Sequence, residues 1–152
     1  MFKSILVPTD GSERSREAVR AAVEFARDEH AKIIGFYPLN VDECRPRIHA
    51  PYMFVAQEDL EREIAQRMQE HAKNALHYLE DASRSAGVPC ETHLELTRES
   101  PHESIVREAE KDHCDLIFMA SDARRGLAGW LAGSEATKVM ASTKIPVMLY
   151  RH

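Results

Sequence analysis

The chain has 152 residues, of which 43% are hydrophobic and 30% charged, and a formal net charge of -5. That length and balance suit a single globular domain over residues 1–152 with room for a real core. The acidic balance argues against a dedicated nucleic-acid binder, and no apolar run is long enough to span a membrane. The three cysteines, Cys44, Cys90 and Cys114, are odd in number and widely spaced, so neither a disulfide framework nor a CxxC metal motif is expected. Asp10 follows the start too soon for a signal peptide. The expectation is a cytoplasmic protein with no nucleic-acid or membrane partner.

In chain order, Ile5, Leu6 and Val7 form a continuous apolar run, the pattern of a strand buried on both faces. It ends in the turn residues Pro8-Thr-Asp-Gly-Ser12, with Ser12 a helix cap and Ala18, Ala22, Phe25 and Ala26 repeating at helical spacing to about Glu29. Residues 31–39 read as a second strand. Gly35 weakens it, and Pro38 predicts either its end or an edge position. Residues 40–55 are irregular and long for a connection. Leu60, Ile64, Met68, Ala72, Ala75 and Leu79 mark a long helix over 57–86, stopped by Gly87.

Residues 88–96 alternate, with Val88, Cys90, Thr92, Leu94 and Leu96 inward, as in a half-exposed edge strand. Ser100-Pro-His-Glu103 is a capping box, and Ile105, Val106 and Ala109 face inward from the helix it starts. Residues 115–120 form a fourth strand. A loop with Gly126, Gly129, Gly133 and the pair Arg124-Arg125 leads to a helix starting at Ser134, and Ile145-Pro-Val-Met-Leu-Tyr150 closes the chain as a fifth strand. Strands and helices alternate throughout, which implies a five-stranded parallel sheet with helices on both faces, a flavodoxin/Rossmann-like α/β sandwich of strand order 2-1-3-4-5 or 3-2-1-4-5. In the second order, Pro8-Thr-Asp10 and Ala120-Ser-Asp122 face each other across the crevice where the order reverses. A strand, a glycine-bearing cationic loop and a helix start are also what a phosphate site needs.

Lys3-Ser-Ile-Leu-Val-Pro-Thr-Asp-Gly-Ser12, together with Asp115-Leu-Ile-Phe-Met-Ala-Ser-Asp-Ala-Arg-Arg-Gly-Leu127 and Leu131-Ala-Gly-Ser134, resembles the universal stress protein family. The resemblance covers essentially the whole chain. It implies the 3-2-1-4-5 order and a homodimer paired through Ile145 to Tyr150. It also implies a stress-response signalling module, some members of which bind ATP or AMP, with Mg²⁺ if ATP. The family's nucleotide motif is Gly, two residues, Gly, nine residues, Gly, then Ser or Thr. Its positions fall here on Ala120, Ala123, Gly133 and Ser134, so the spacing is kept and two glycines are replaced.

By the same pattern Asp10 and Pro38, at the end of the second strand, would meet the adenosine, and Gly133, Ser134 and Glu135 would meet the phosphates. Pro8, Thr9, Ala120, Ser121, Ala123 and Arg124 complete the implied cofactor-binding set. Asp122 takes a place commonly held by histidine, and Glu135 adds a second carboxylate at the helix start. Both repel an anion, so nucleotide binding is expected to be weak or lost. The alternative is an ATP/AMP-binding switch with slow ATP turnover.

Other residues carry less. Asp10 and Asp122 could pair for Mg²⁺ in a metal-dependent enzyme, against Asp10 as a cap and Asp122 as solvated loop. The eight histidines make no i,i+4 pair and no HExxH, so they read as solvated and no metal site is expected. Cys90 and Cys114 read as core thiols, and Cys44 as the accessible one. Trp130, with Leu127 and Leu131, reads as a lid or a partner anchor. No nucleophile stands beside a recognisable base, so no catalytic residue and no classical hydrolysis are expected.

Overall fold

Ile5, Leu6 and Val7 are at most 1% exposed, and they belong to the strand on which the sheet is centred. The computed structural model describes residues 1–44, 54–121 and 135–151, with side chains over 1–42, 58–121 and 135–151. The elements run β1 (Ser4–Pro8), α1 (Glu13–Glu29), β2 (Lys32–Asn40), a short 3-10 turn (Val41–Cys44), α2 (Phe54–Ser85), β3 (Cys90–Thr97), α3 (Pro101–Lys111), β4 (Leu116–Ala120), α4 (Glu135–Ser142) and β5 (Val147–Tyr150). Every strand pairing is parallel, and the five-stranded sheet has the order β3-β2-β1-β4-β5.

Strand periodicity sorts the core into two layers. Ile5, Val7, Ile33 and Phe118 point to one face, where they meet Val19, Ala22 and Ala26 of α1 and Leu79 of α2. Leu6, Ile34, Phe36 and Ile117 point to the other, against Ile105, Val106 and Ala109 of α3 and Ala136 and Val139 of α4. A fully buried side chain of this size is worth roughly 1.5–3 kcal/mol. Both faces of β1 are therefore committed, which is why its apolar residues run on without alternation.

The caps follow from local chemistry. The Ser12 hydroxyl accepts the Ser15 N–H at 3.2 Å, closing the first turn of α1. At α3 the Glu103 carboxylate accepts both the N–H of Ser100 at 3.2 Å and its hydroxyl at 2.8 Å, and this pairing holds that carboxyl below its usual range. At the opposite end of the sheet the Asp115 carboxylate accepts the N–H groups of Lys3 and Ser4, at 2.9 and 3.1 Å, and so ties β1 to the start of β4.

Three expectations need correction. Pro38 neither ends β2 nor places it at an edge, because β2 pairs with both β1 and β3 and runs on to Asn40. The Phe36 carbonyl accepts Thr9 N–H at 2.9 Å, so residues of even number face β1, and β1 has ended by the level of Pro38. The missing N–H of Pro38 thus costs no ladder bond. Leu96, expected inward, is 53% exposed and borders an open groove beside Glu61 and Ala65 of α2. Gly35 is no weak point: a Cβ there would lie 3.0 Å from Leu79 Cδ2 and 3.1 Å from Thr92 Cγ2, so its absence is what lets α2 seat on the sheet. Among the described residues, no helix is long and apolar enough to cross a membrane.

Substituting Gly35→Val should therefore overpack the α2–sheet contact and cost about 1–3 kcal/mol. A chemical-denaturation midpoint equal to that of the wild-type protein would refute the close approach.

Candidate functional site

The chain leaves β1 towards β2 on one side and β4 towards β5 on the other, so the strand order reverses between β1 and β4. Side chains cannot fill the space beyond that reversal, and parallel sheets bind ligands there. A cavity of about 210 Å³ occupies it. Pro8, Thr9 and Asp10 at the end of β1 and Met119 and Ala120 at the end of β4 form its base. Tyr37, Pro38, Leu39 and Asn40 line one side from the end of β2, joined by Met68 of α2. Pro101 and Ile105 of α3 and Glu135 of α4 line the other.

The turn from β1 into α1 is held from within. The Thr9 hydroxyl shares a hydrogen bond with Ser15 Oγ at 2.7 Å and accepts the Gly11 N–H at 3.2 Å. The Asp10 N–H donates to Ser15 Oγ at 3.2 Å, and Asp10 Oδ1 accepts the Ser12 N–H at 2.9 Å. Thr9 is buried, while Asp10 is exposed at the cavity. The long helix reaches across to this turn. His71 Nε2 lies 2.9 Å from the Asp10 carbonyl, and the Tyr37 hydroxyl donates to the same oxygen at 3.4 Å. A carbonyl only accepts, so His71 carries its proton on Nε2. The Tyr37 and His71 rings meet edge to face, 6.3 Å between centroids. Gly11 sits beneath at φ +77°, where a Cβ would lie 2.7 Å from His71 Nε2.

Glu135 does not point an uncompensated charge at the cavity. Its Oε2 accepts the His102 N–H at the start of α3 at 3.0 Å, and its Oε1 accepts from Lys138 Nζ at 3.1 Å. The carboxylate thus caps the N-terminus of one helix and pairs with a cation on its own.

The structure brings together Pro8, Thr9, Asp10, Pro38, Ala120 and Glu135 around one cavity. Ser121 continues the sheet instead, its N–H donating to the Tyr150 carbonyl at 2.9 Å. Ala123, Arg124, Gly133 and Ser134 lie outside the described residues, as do Asp122, Leu127, Trp130 and Leu131. Sequence reasoning missed Ser15, Tyr37, Met68 and His71. Ser15 and Tyr37 lie near motif residues in the chain and could have been found by proximity. Met68 and His71 come from a distant helix, and no local pattern marks them.

The reading of all histidines as solvated is corrected for His93 and His102, which are half-buried against carboxylates remote in sequence. His71 is exposed as expected, yet it also contacts the Asp10 carbonyl. Cys114 is buried beside Ser4, whose hydroxyl donates to its Sγ at 3.7 Å, and burial pushes its thiol up to about 11. Burial raises Cys90 as well, and the Cys44 side chain lies outside the described set.

Known proteins resemble this chain over nearly its whole length. The model of the universal stress protein family matches residues 1–151. The chain belongs to the universal stress protein family. Among its relatives, universal stress protein MJ0531 of Methanocaldococcus jannaschii is 29% identical over 151 residues, covering 99% of this chain and 83% of the relative. The solved structure of MJ0577 from the same organism superimposes with a TM-score of 0.79 at 26% identity, covering 100% of this chain and 97% of that one. A universal stress protein solved in complex with cAMP has a TM-score of 0.72, covering 99% of this chain and 97% of its own. At 20% identity its likeness is one of fold.

Gly11→Ala should cost about 1–2 kcal/mol from left-handed strain alone, plus the displacement of His71. In a His71→Ala background the penalty should shrink without vanishing. Equal penalties in both backgrounds, measured by urea unfolding, would show that Gly11 and His71 are not coupled. Cys114, with a thiolate fraction about a hundredfold below that of a free thiol, should be alkylated by iodoacetamide only after denaturation. Peptide mapping that finds it labelled at a free-thiol rate in the native protein would contradict its burial.

Proposed function

We propose that this universal stress protein is a cytoplasmic stress-response and signalling module whose cavity takes the nucleoside part of an adenine nucleotide. The observation that carries the reading is the cavity's composition at the strand-order reversal. Pro38, Met68, Ile105 and Met119 offer apolar surface suited to the faces of a flat base. Asp10, exposed at the same cavity, offers a carboxylate that accepts from sugar hydroxyls. The turn bearing Asp10 is fixed by His71 and Tyr37, so binding would cost little reordering there.

AMP-like ligands fit this reading better than ATP. By the family's motif, each added phosphate would meet the charge of Asp122, and ATP would need Mg²⁺ to offset it. Glu135 is a smaller obstacle than its charge suggests, because Lys138 and the start of α3 already engage it. The cAMP held by one fold neighbour makes it a natural second probe. The homodimer reading places 145–150 at the interface. Its support is that β5 pairs only with β4 among the described strands and is half-exposed along its whole length.

Calorimetric titration of the purified protein with AMP, cAMP and ATP, with and without Mg²⁺, tests the ligand. AMP should bind one per chain, and Asp10→Asn should weaken it by roughly 1.5 kcal/mol or more while keeping the Ser12 contact. The absence of heat, of a thermal shift and of nucleotide in heat-denatured supernatants would overturn the reading, provided a known binder responds in parallel. Light scattering that finds only monomer at micromolar concentration would overturn the assembly.

A further inference from the structure

Away from the cavity, α3 and the edge strand β3 gather a second set of ionisable groups. His93 pairs in register with Phe36, so it lies on the sheet face that α3 covers. Glu108 and Asp112 stand one helical turn apart at the C-terminal end of α3. His93 Nδ1 is 2.6 Å from Glu108 Oε1 and 3.4 Å from Asp112 Oδ2, and the three ligand atoms all lie within 4.8 Å of one another. The Glu108 side chain is only 3% exposed, against 18% for Asp112 and 36% for His93. None of the three lines the cavity.

The donors do not match the acceptors. Ionised carboxylates only accept, and His93 Nδ1 carries at most one hydrogen. That hydrogen goes to Glu108. Asp112 Oδ2 is buried and has no hydrogen-bond partner. Lys111 Nζ approaches Glu108 Oε2 only to 3.6 Å, from an exposed side chain. Two carboxylates at i,i+4 repel each other, yet both converge on a single imidazole nitrogen. A buried carboxylate with a half-buried one at such spacing calls for a cation beside them.

We propose that His93, Glu108 and Asp112 form a divalent metal site of the Zn²⁺ class. Nδ1, Oε1 and Oδ2 are its three protein ligands, and water completes the coordination. Imidazole with carboxylates suits Zn²⁺ and its first-row neighbours, whereas Ca²⁺ takes six to eight oxygens and Mg²⁺ near-ideal octahedral oxygen coordination. Tetrahedral bonds of about 2.0–2.2 Å place ligand atoms roughly 3.3–3.5 Å apart. The His93–Asp112 separation already matches, and Glu108 must withdraw by roughly 0.8 Å. On binding, the Nδ1 proton passes to solvent from an imidazolium ring, or a neutral ring exchanges to the Nε2–H tautomer through solvent, so that the Nδ1 lone pair faces the metal. Partial exposure of His93 supplies the route of entry. The site shares no residue with the cavity, so its test is independent of nucleotide binding.

The experiment is a ZnCl₂ titration of the full, chelator-treated chain by calorimetry, with melting temperature read in parallel. The expected result is saturable uptake of one Zn²⁺ per chain with a raised melting temperature. His93→Gln and Asp112→Asn should each weaken affinity at least about tenfold while keeping the wild-type circular dichroism spectrum. His77→Gln, at an exposed histidine also paired with a glutamate, should leave it unchanged. No saturable uptake would mean an ion-paired triad only. One Zn²⁺ bound equally well by both variants would place the metal elsewhere. Either result overturns the proposal. If Asp112→Asn fails to fold, His93→Gln decides alone.

Discussion

Everything at the working end of this molecule depends on β1 being enclosed. Its faces are covered by helices on both sides and its edges are bonded to β2 and β4. A strand so placed has no freedom in where it ends, and the chain must leave it through a turn whose polar groups find partners at once. Thr9, Asp10 and Ser12 supply those partners, with Ser15 from α1. Gly11 supplies the left-handed step that redirects the chain into α1. The turn is thereby a rigid object, and the cavity inherits its shape from it.

The long helix α2 extends that rigidity. It seats close on the sheet at Gly35, where Leu79 packs into the space a side chain would take. Seated there, it presents His71 to the Asp10 carbonyl two turns before Leu79. Packing at the middle of β2 and the position of a carboxylate at the end of β1 are thus linked through one helix.

Much of the fold was legible in the sequence because both-face burial leaves continuous apolar runs, as at Ile5, Leu6 and Val7, and because Ser12 and Ser100 announce their helices. Topology was legible through motif residues at the ends of β1 and β4. Pro38 misled because a proline's cost depends on which way its nitrogen faces and where the neighbouring strand stops, and neither is a local property. Leu96 misled because alternation reports the face of a strand and not how closely the helix on that face packs, and α2 leaves an open groove beside it. Charge was misread for the same reason. Counting Glu135 as a repulsive group at a helix start ignores Lys138 one turn on, and the N–H of His102 on another helix.

Helix α3 shows how one short element can serve two regions. Its first turn lines the cavity through Pro101 and Ile105, and its start is capped from α4 by Glu135. Its last turns carry Glu108 and Asp112 against His93. Apolar contacts of Ile105, Val106 and Ala109 fix the helix between these ends. These contacts hold an eleven-residue helix between the two regions. Burying Glu108 at the sheet edge costs solvation that a leucine there would not, and this cost is met only if the carboxylate is held by a partner. The residue that holds it, His93, projects from the outermost strand of the sheet. The edge of the sheet and one wall of the cavity are therefore positioned by the same helix.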